Sequence, residues 1–260
     1  GSSSVAIGNA AGNNAQGGSS VAIGLSAASG NQGSYGVAIG TQAAQTDQSN
    51  FGVAIGNLSG QTTQGASAVA VGNSAGNTTQ GASAVAVGIN AGTTSQGESS
   101  VAVGNQAGET TQARFAVALG YLSGSATQAE GGVAVGTNAG NSAQGTSSVA
   151  IGRSAGQITQ STGAAAVGYS AGKTAQGAYS VAVGYNSGNN TQGANSVAIG
   201  VNAGDATQGV NAVAVGVNSG SDSQQDYGIS MGYRSGRYRQ LTNSLAIGRE
   251  AGNTDQGANS

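Results

Sequence analysis

Aliphatic residues recur along this chain at an interval of 16 positions. Val5, Val21, Val37 and Val53 open a series that runs on through Val69 and Val101 to Ile229 and Leu245. Two residues later stands another aliphatic or Met in every copy, from Ile7 and Ile23 to Met231 and Ile247, and Gly always follows it. The residue between the two is Ala in every copy except one, where Ser230 stands. Gln holds a second fixed place, from Gln16 and Gln32 to Gln240 and Gln256. No insertion or deletion breaks the register of the 16 copies. Positions are numbered below by the first copy, so Val5 is at position 5 and Gln16 at position 16.

The stretch Ser4 to Gly8 alternates small and large side chains, the period of a strand. Position 11 is only ever Ala or Ser, and Gly or Ala follows it, which suits a tight corner. The Thr-Thr-Gln stretch, as at Thr62 to Gln64, is short and β-prone. Two strands and two corners in 16 residues describe one turn of a β-solenoid. No 3.6-residue period appears, and Gly and β-branched residues dominate, so helix is not expected. The sequence thus reads as an all-β chain: a parallel β-solenoid (β-roll) of about 16 coils, a single repeat array over residues 1–260. Because it starts and ends within repeats, the array reads as an excerpt of a longer fibrous protein.

Charge separates the faces of the coil. All 7 basic and 9 acidic side chains fall at six positions, those of Glu98, Arg153, Arg234, Lys173, Asp222 and Arg239. Unpaired charge is costly to bury, so these positions mark solvent. The Ser-Val-Ala-Ile-Gly strand carries no charge on either side. The favoured orientation puts the aliphatics inside the roll, with Val101, Val103, Val197 and Ile199 as core. It leaves a flat strip of Ala, including Ala102 and Ala198, as the surface where identical chains meet. The inverse, with Ala facing a narrow interior and the aliphatics facing the partner chains, is the alternative.

Composition narrows the chemistry. Among 260 residues there are 49 Gly and no Cys, His, Pro or Trp, and the formal net charge is −2. Thiolate nucleophiles, imidazole bases, disulfides and zinc fingers are excluded. A basic footprint for nucleic acid is missing. No run of 18 apolar residues suggests a membrane span, and Gly1 to Ala6 do not open a secretory leader. Carboxylates are scattered; only Asp222 and Asp226 lie close in sequence, and they read as a solvated pair rather than an acid/base dyad. No enzyme activity, metal or cofactor is expected. The recurring Gln, including Gln64, Gln80, Gln96 and Gln112, suggests an amide ladder, with a ligand-binding row as the sharper reading. Aromatics gather at positions 3 and 9, as at Tyr35, Phe51, Tyr169 and Tyr185, and read as edge packing or as rings for glycan or protein. The fifteenth coil stands apart, because Tyr233, Arg234, Arg237, Tyr238 and Arg239 crowd together. They read as a drifting coil or as a contact for an anionic or protein ligand.

The phrases Ser4-Val5-Ala6-Ile7-Gly8, Ser20 to Gly24, Ser148 to Gly152 and Asn195 to Gly200 resemble the YadA-like head repeats of trimeric autotransporter adhesins. That resemblance covers all 16 coils, although the repeat here is longer and more regular, with an added Ala-Gly and an unvarying Gln. It implies a left-handed roll, a homotrimer around a threefold axis, and a non-enzymatic head or shaft of a surface fibre. Expected partners are further copies of the chain and an extracellular matrix protein or surface glycan, with neither nucleic acid nor membrane insertion in this segment. The expected setting is extracellular, on a cell surface or outer membrane, or on a virion. A viral or phage fibre is the alternative; below it ranks an ice-binding solenoid, suggested by Thr pairs such as Thr78 and Thr79.

Overall fold

The computed structural model describes residues 2–260. The chain forms two compact units, Gly1–Gly131 and Gly132–Ser260, each built of eight coils of the 16-residue repeat. It is an all-β parallel solenoid of about 16 coils. Every coil contributes one strand to each of two parallel rows. In the first unit one row runs from Val5–Ile7 to Val117–Leu119 and the other from Ala15–Gln16 to Thr127–Gln128. In the second unit the rows run from Val133–Val135 to Leu245–Ile247 and from Ala143–Gln144 to Thr254–Gln256. Register is exact in the repeat: Val85 pairs with Val101, Gln80 with Gln96, and Val181 with Val197. No helix among the described residues is long and apolar enough to cross a membrane.

Strands of two or three residues can close a coil only through sharp corners. Position 8 is Gly because its φ lies near +130° and a Cβ there would strike the next coil. At Gly56 (φ 129°) it would come 2.3 Å from the carbonyl oxygen of Gly72. Positions 3 and 10 also turn through the left-handed region, yet carry ordinary side chains, as at Ser67 (φ 58°) and Asn218 (φ 54°). Each such residue costs about 1–2 kcal/mol, less where Asn stands. The stacked coils impose these corners, because every turn must land in register on the one before.

The core corrects the expected orientation. Ala102 and Ala198 are fully buried inside the roll, as are Ala107 and Ala203 from position 11. In the first unit the methyls of Ala70, Ala75, Ala86, Ala91, Ala102, Ala107 and Ala118 form one continuous cluster. Val101 and Val197 are only half-buried, while Val103 and Ile199 are 36% and 40% exposed. Val101, Val103, Val197 and Ile199 are therefore not the interior, and Ala102 and Ala198 are not at the chain's surface. The reason is width. A Cβ added at Gly108 would lie 3.3 Å from the Ala102 Cβ and 2.9 Å from Oε1 of Gln112. Between the two rows there is room for a methyl and an amide, and for nothing larger.

This geometry makes position 6 intolerant and position 7 permissive. Ala102→Leu should lower unfolding stability by about 1–3 kcal/mol through overpacking. Val103→Leu should change it by no more than about 0.5 kcal/mol, since Leu119 already occupies the same position in the next coil. Denaturant titration followed by circular dichroism reads both; the reverse order would contradict the orientation.

Candidate functional site

Three features stand out from the repeat: a buried row of amides, an outward row of aliphatics and a basic corner in the fifteenth coil.

Gln64, Gln80, Gln96 and Gln112 are buried. Each side chain crosses the interior, donating from Nε2 to a main-chain carbonyl on the opposite strand of its own coil. For Gln80 this acceptor is Val69 at 2.8 Å, and for Gln112 it is Val101 at 2.8 Å. The same amide donates to the next coil's Oε1: Gln64 to Gln80 at 3.1 Å, Gln80 to Gln96 at 3.1 Å, and Gln96 to Gln112 at 3.3 Å. Only Gln supplies this combination of two donors, one acceptor and sufficient reach. Glu would lack the donors and would stack buried like charges. The ladder is interrupted at Gln32 and Gln192, whose Oε1 atoms are buried without a donor. Ser230, the single departure from Ala at position 6, joins it: its hydroxyl donates to Oε1 of Gln240 and accepts from Nε2 of Gln224 at 3.2 Å. The amides thus spend their hydrogen bonds on the fold, and their burial leaves no row of Gln for a ligand.

The opposite side of the Val-Ala-Ile strand faces outward. Positions 5 and 7 form two columns of Val, Ile, Leu, Met and Ala165, without a charge in any coil. Ile55, Ile151, Val167 and Met231 are between 37% and 41% exposed. The sequence carried this signal in the charge-free strand but did not say which side pointed out.

Aromatic side chains at positions 3 and 9 flank these columns in sequence, and two pairs of them stack. Tyr35 stacks on Phe51 at 5.1 Å, and Tyr169 on Tyr185 at 5.2 Å with Arg153 over Tyr169 at 5.6 Å.

The fifteenth coil brings Tyr233, Arg234, Arg237 and Tyr238 to one corner. Arg234 lies 4.9 Å over the Tyr233 ring and Arg237 4.6 Å over the Tyr238 ring. Arg249 from the following coil also lies over Tyr233, at 5.9 Å. Arg239 points instead into an exposed ion pair with Asp255 at 2.9 Å, worth little in water. Asp222 and Asp226 do not form a dyad: Asp222 is at position 14, while Oδ1 of Asp226, at position 2, accepts from the main-chain N–H of Val210 at 2.8 Å. Elsewhere Asp205, half-buried at position 13, has its carboxyl raised above the ordinary range by desolvation. Among the described residues no group of His, Cys, Asp or Glu could hold a metal, and no pocket opens on the surface.

Gln96→Glu tests the ladder. A buried, unpaired carboxylate should destabilise the coil by about 3–5 kcal/mol at neutral pH. Its folded-state pKa would be raised, so the loss should grow as pH climbs above about 4.3 and shrink below it. Melting curves at pH 4 and pH 7 measure this; a pH-independent effect would contradict the buried amide geometry. Against known proteins, the chain matches no family model and no curated protein.

Proposed function

We propose that this chain is a non-enzymatic structural and adhesive module, the head or shaft of a homotrimeric surface fibre that binds matrix or cell-surface ligands. The outward Val/Ile face carries the reading. With strands about 4.8 Å apart and two side-chain columns about 7–10 Å wide, eight coils offer roughly 300–400 Å² of flat apolar surface. That is at the size of the largest patch usual on a monomer. Each of the two units carries such a face.

The occupant we assign to this face is a second and third copy of the same chain. Within each unit the coils repeat the same two columns, so identical copies can meet in register along that unit, and no charge on the face opposes their approach. The resemblance to YadA-like heads supports three copies and an extracellular or virion-surface address. A cellular fibre and a viral one would use this face alike. Ice binding, the lower-ranked reading, would instead use the exposed Thr of the other strand row, as at Thr78 and Thr79.

Sedimentation equilibrium should give three times the 24.4 kDa protomer mass. Val103→Asp should place three like charges at the contact and shift the mass toward the protomer while β-sheet circular dichroism persists. Protomer mass for the unmodified chain at micromolar concentration would overturn the proposal, and thermal hysteresis in that sample would favour ice.

A further inference from the structure

Positions 10 and 13 flank the same corner of each coil, and in two other coils their side chains bond to each other. Gln106 donates to Oε2 of Glu109 at 3.1 Å, and Asn189 donates to Oδ1 of Asn186 at 3.1 Å. In the fifteenth coil both positions are Arg, at Arg234 and Arg237. Two guanidinium groups can only donate, so the pairing made in those two coils is impossible here. Nε of Arg234 and Nε of Arg237 are buried with no acceptor, and Oδ1 of Asn253, one coil on at position 13, is buried with no donor. Among the described residues neither arginine has a carboxylate within ion-pair distance, whereas Arg239 pairs with Asp255 and Arg249 with Glu250 at 3.9 Å. Unmet buried donors are costly.

We propose that Arg234 and Arg237 clamp an oxyanion, the carboxylate or sulfate group of an acidic oligosaccharide. The inference names a ligand for the adhesive role proposed above and rests on that part of it. Planar guanidinium forks suit a carboxylate or sulfate, and the Tyr233 and Tyr238 rings beneath them hold the two planes in place. A saccharide fits better than a bare anion. Tyr233 and Tyr238 remain 40% and 38% exposed and offer apolar edges to a pyranose ring. Glu250 at position 10 of the next coil and Asp222 at position 14 of the coil before keep the corner from being a general positive field. Recognition therefore depends on placement more than on net charge.

Titration calorimetry with a heparin-derived hexasaccharide at about 0.15 M salt tests this, with maltohexaose and inorganic sulfate as comparison probes. Arg234→Gln/Arg237→Gln should weaken the hexasaccharide at least about tenfold, as expected for losing charge-assisted hydrogen bonds. Arg114→Gln/Arg239→Gln removes the same charge from two exposed ion pairs and should change affinity by less than about twofold. No binding by the unmodified chain, an equal loss in both double variants, or sulfate binding as tightly as the hexasaccharide would each overturn the clamp for acidic saccharide. Sedimentation of Arg234→Gln/Arg237→Gln should match the unmodified chain. A binding loss that followed dissociation of the assembly would instead be a property of the Val/Ile contact.

Discussion

The hydrogen bond from each Gln across the roll sets the dimensions of everything else. At Gln64 it runs 2.8 Å to the Val53 carbonyl, joining the two strand rows of one coil through a single side chain. The second donor of that amide reaches the next coil, so one residue type ties each coil both to itself and to its neighbour. A roll held at the width of one extended amide has space inside for Ala, Ser and the amides alone. That constraint explains why position 6 is Ala in every coil but one, and why the exception is a hydroxyl that joins the ladder.

A core of methyl groups gives little hydrophobic stabilisation per residue, and the large aliphatics that would normally supply it are left facing out. The same width that makes the interior uniform thereby creates an apolar exterior. Fold and proposed assembly are two consequences of one dimension: what cannot fit inside the coil is available to the next chain. Most charges and aromatic rings are displaced to the corners, while Asp47, Tyr238, Arg239 and Asp255 take outward positions in the second strand row. The basic corner of the fifteenth coil is an example, since Arg234 and Arg237 stand where Gln106 and Glu109, or Asn186 and Asn189, stand in other coils.

The repeat, its two strands, its corners and the solvent-facing positions are all legible in the residues. Val5 and Ile7 sit two apart, Gly8 follows without exception, and charge avoids both strands' inward positions. Orientation was not legible, because Ala102 and Val103 both lie on charge-free sides of the same strand and burial preference favours the larger residue inside. The deciding quantity is the distance between the rows, and no strand pattern reports it. Gln112 carried the information in its length, but reading it requires knowing that its amide ends on the carbonyl of Val101. The partnership of positions 10 and 13 was hidden for a similar reason. It arises from left-handed corners such as that at Asn186 (φ 50°), which ordinary propensities do not anticipate.

Side-chain amide hydrogen exchange by NMR addresses the ladder most directly. The Nε2 protons of Gln64, Gln80, Gln96 and Gln112 should exchange orders of magnitude more slowly than those of the exposed Gln225, at a rate set by opening of the coil. Exchange of the four buried amides as fast as that of the exposed one would contradict an interior built on the Gln ladder.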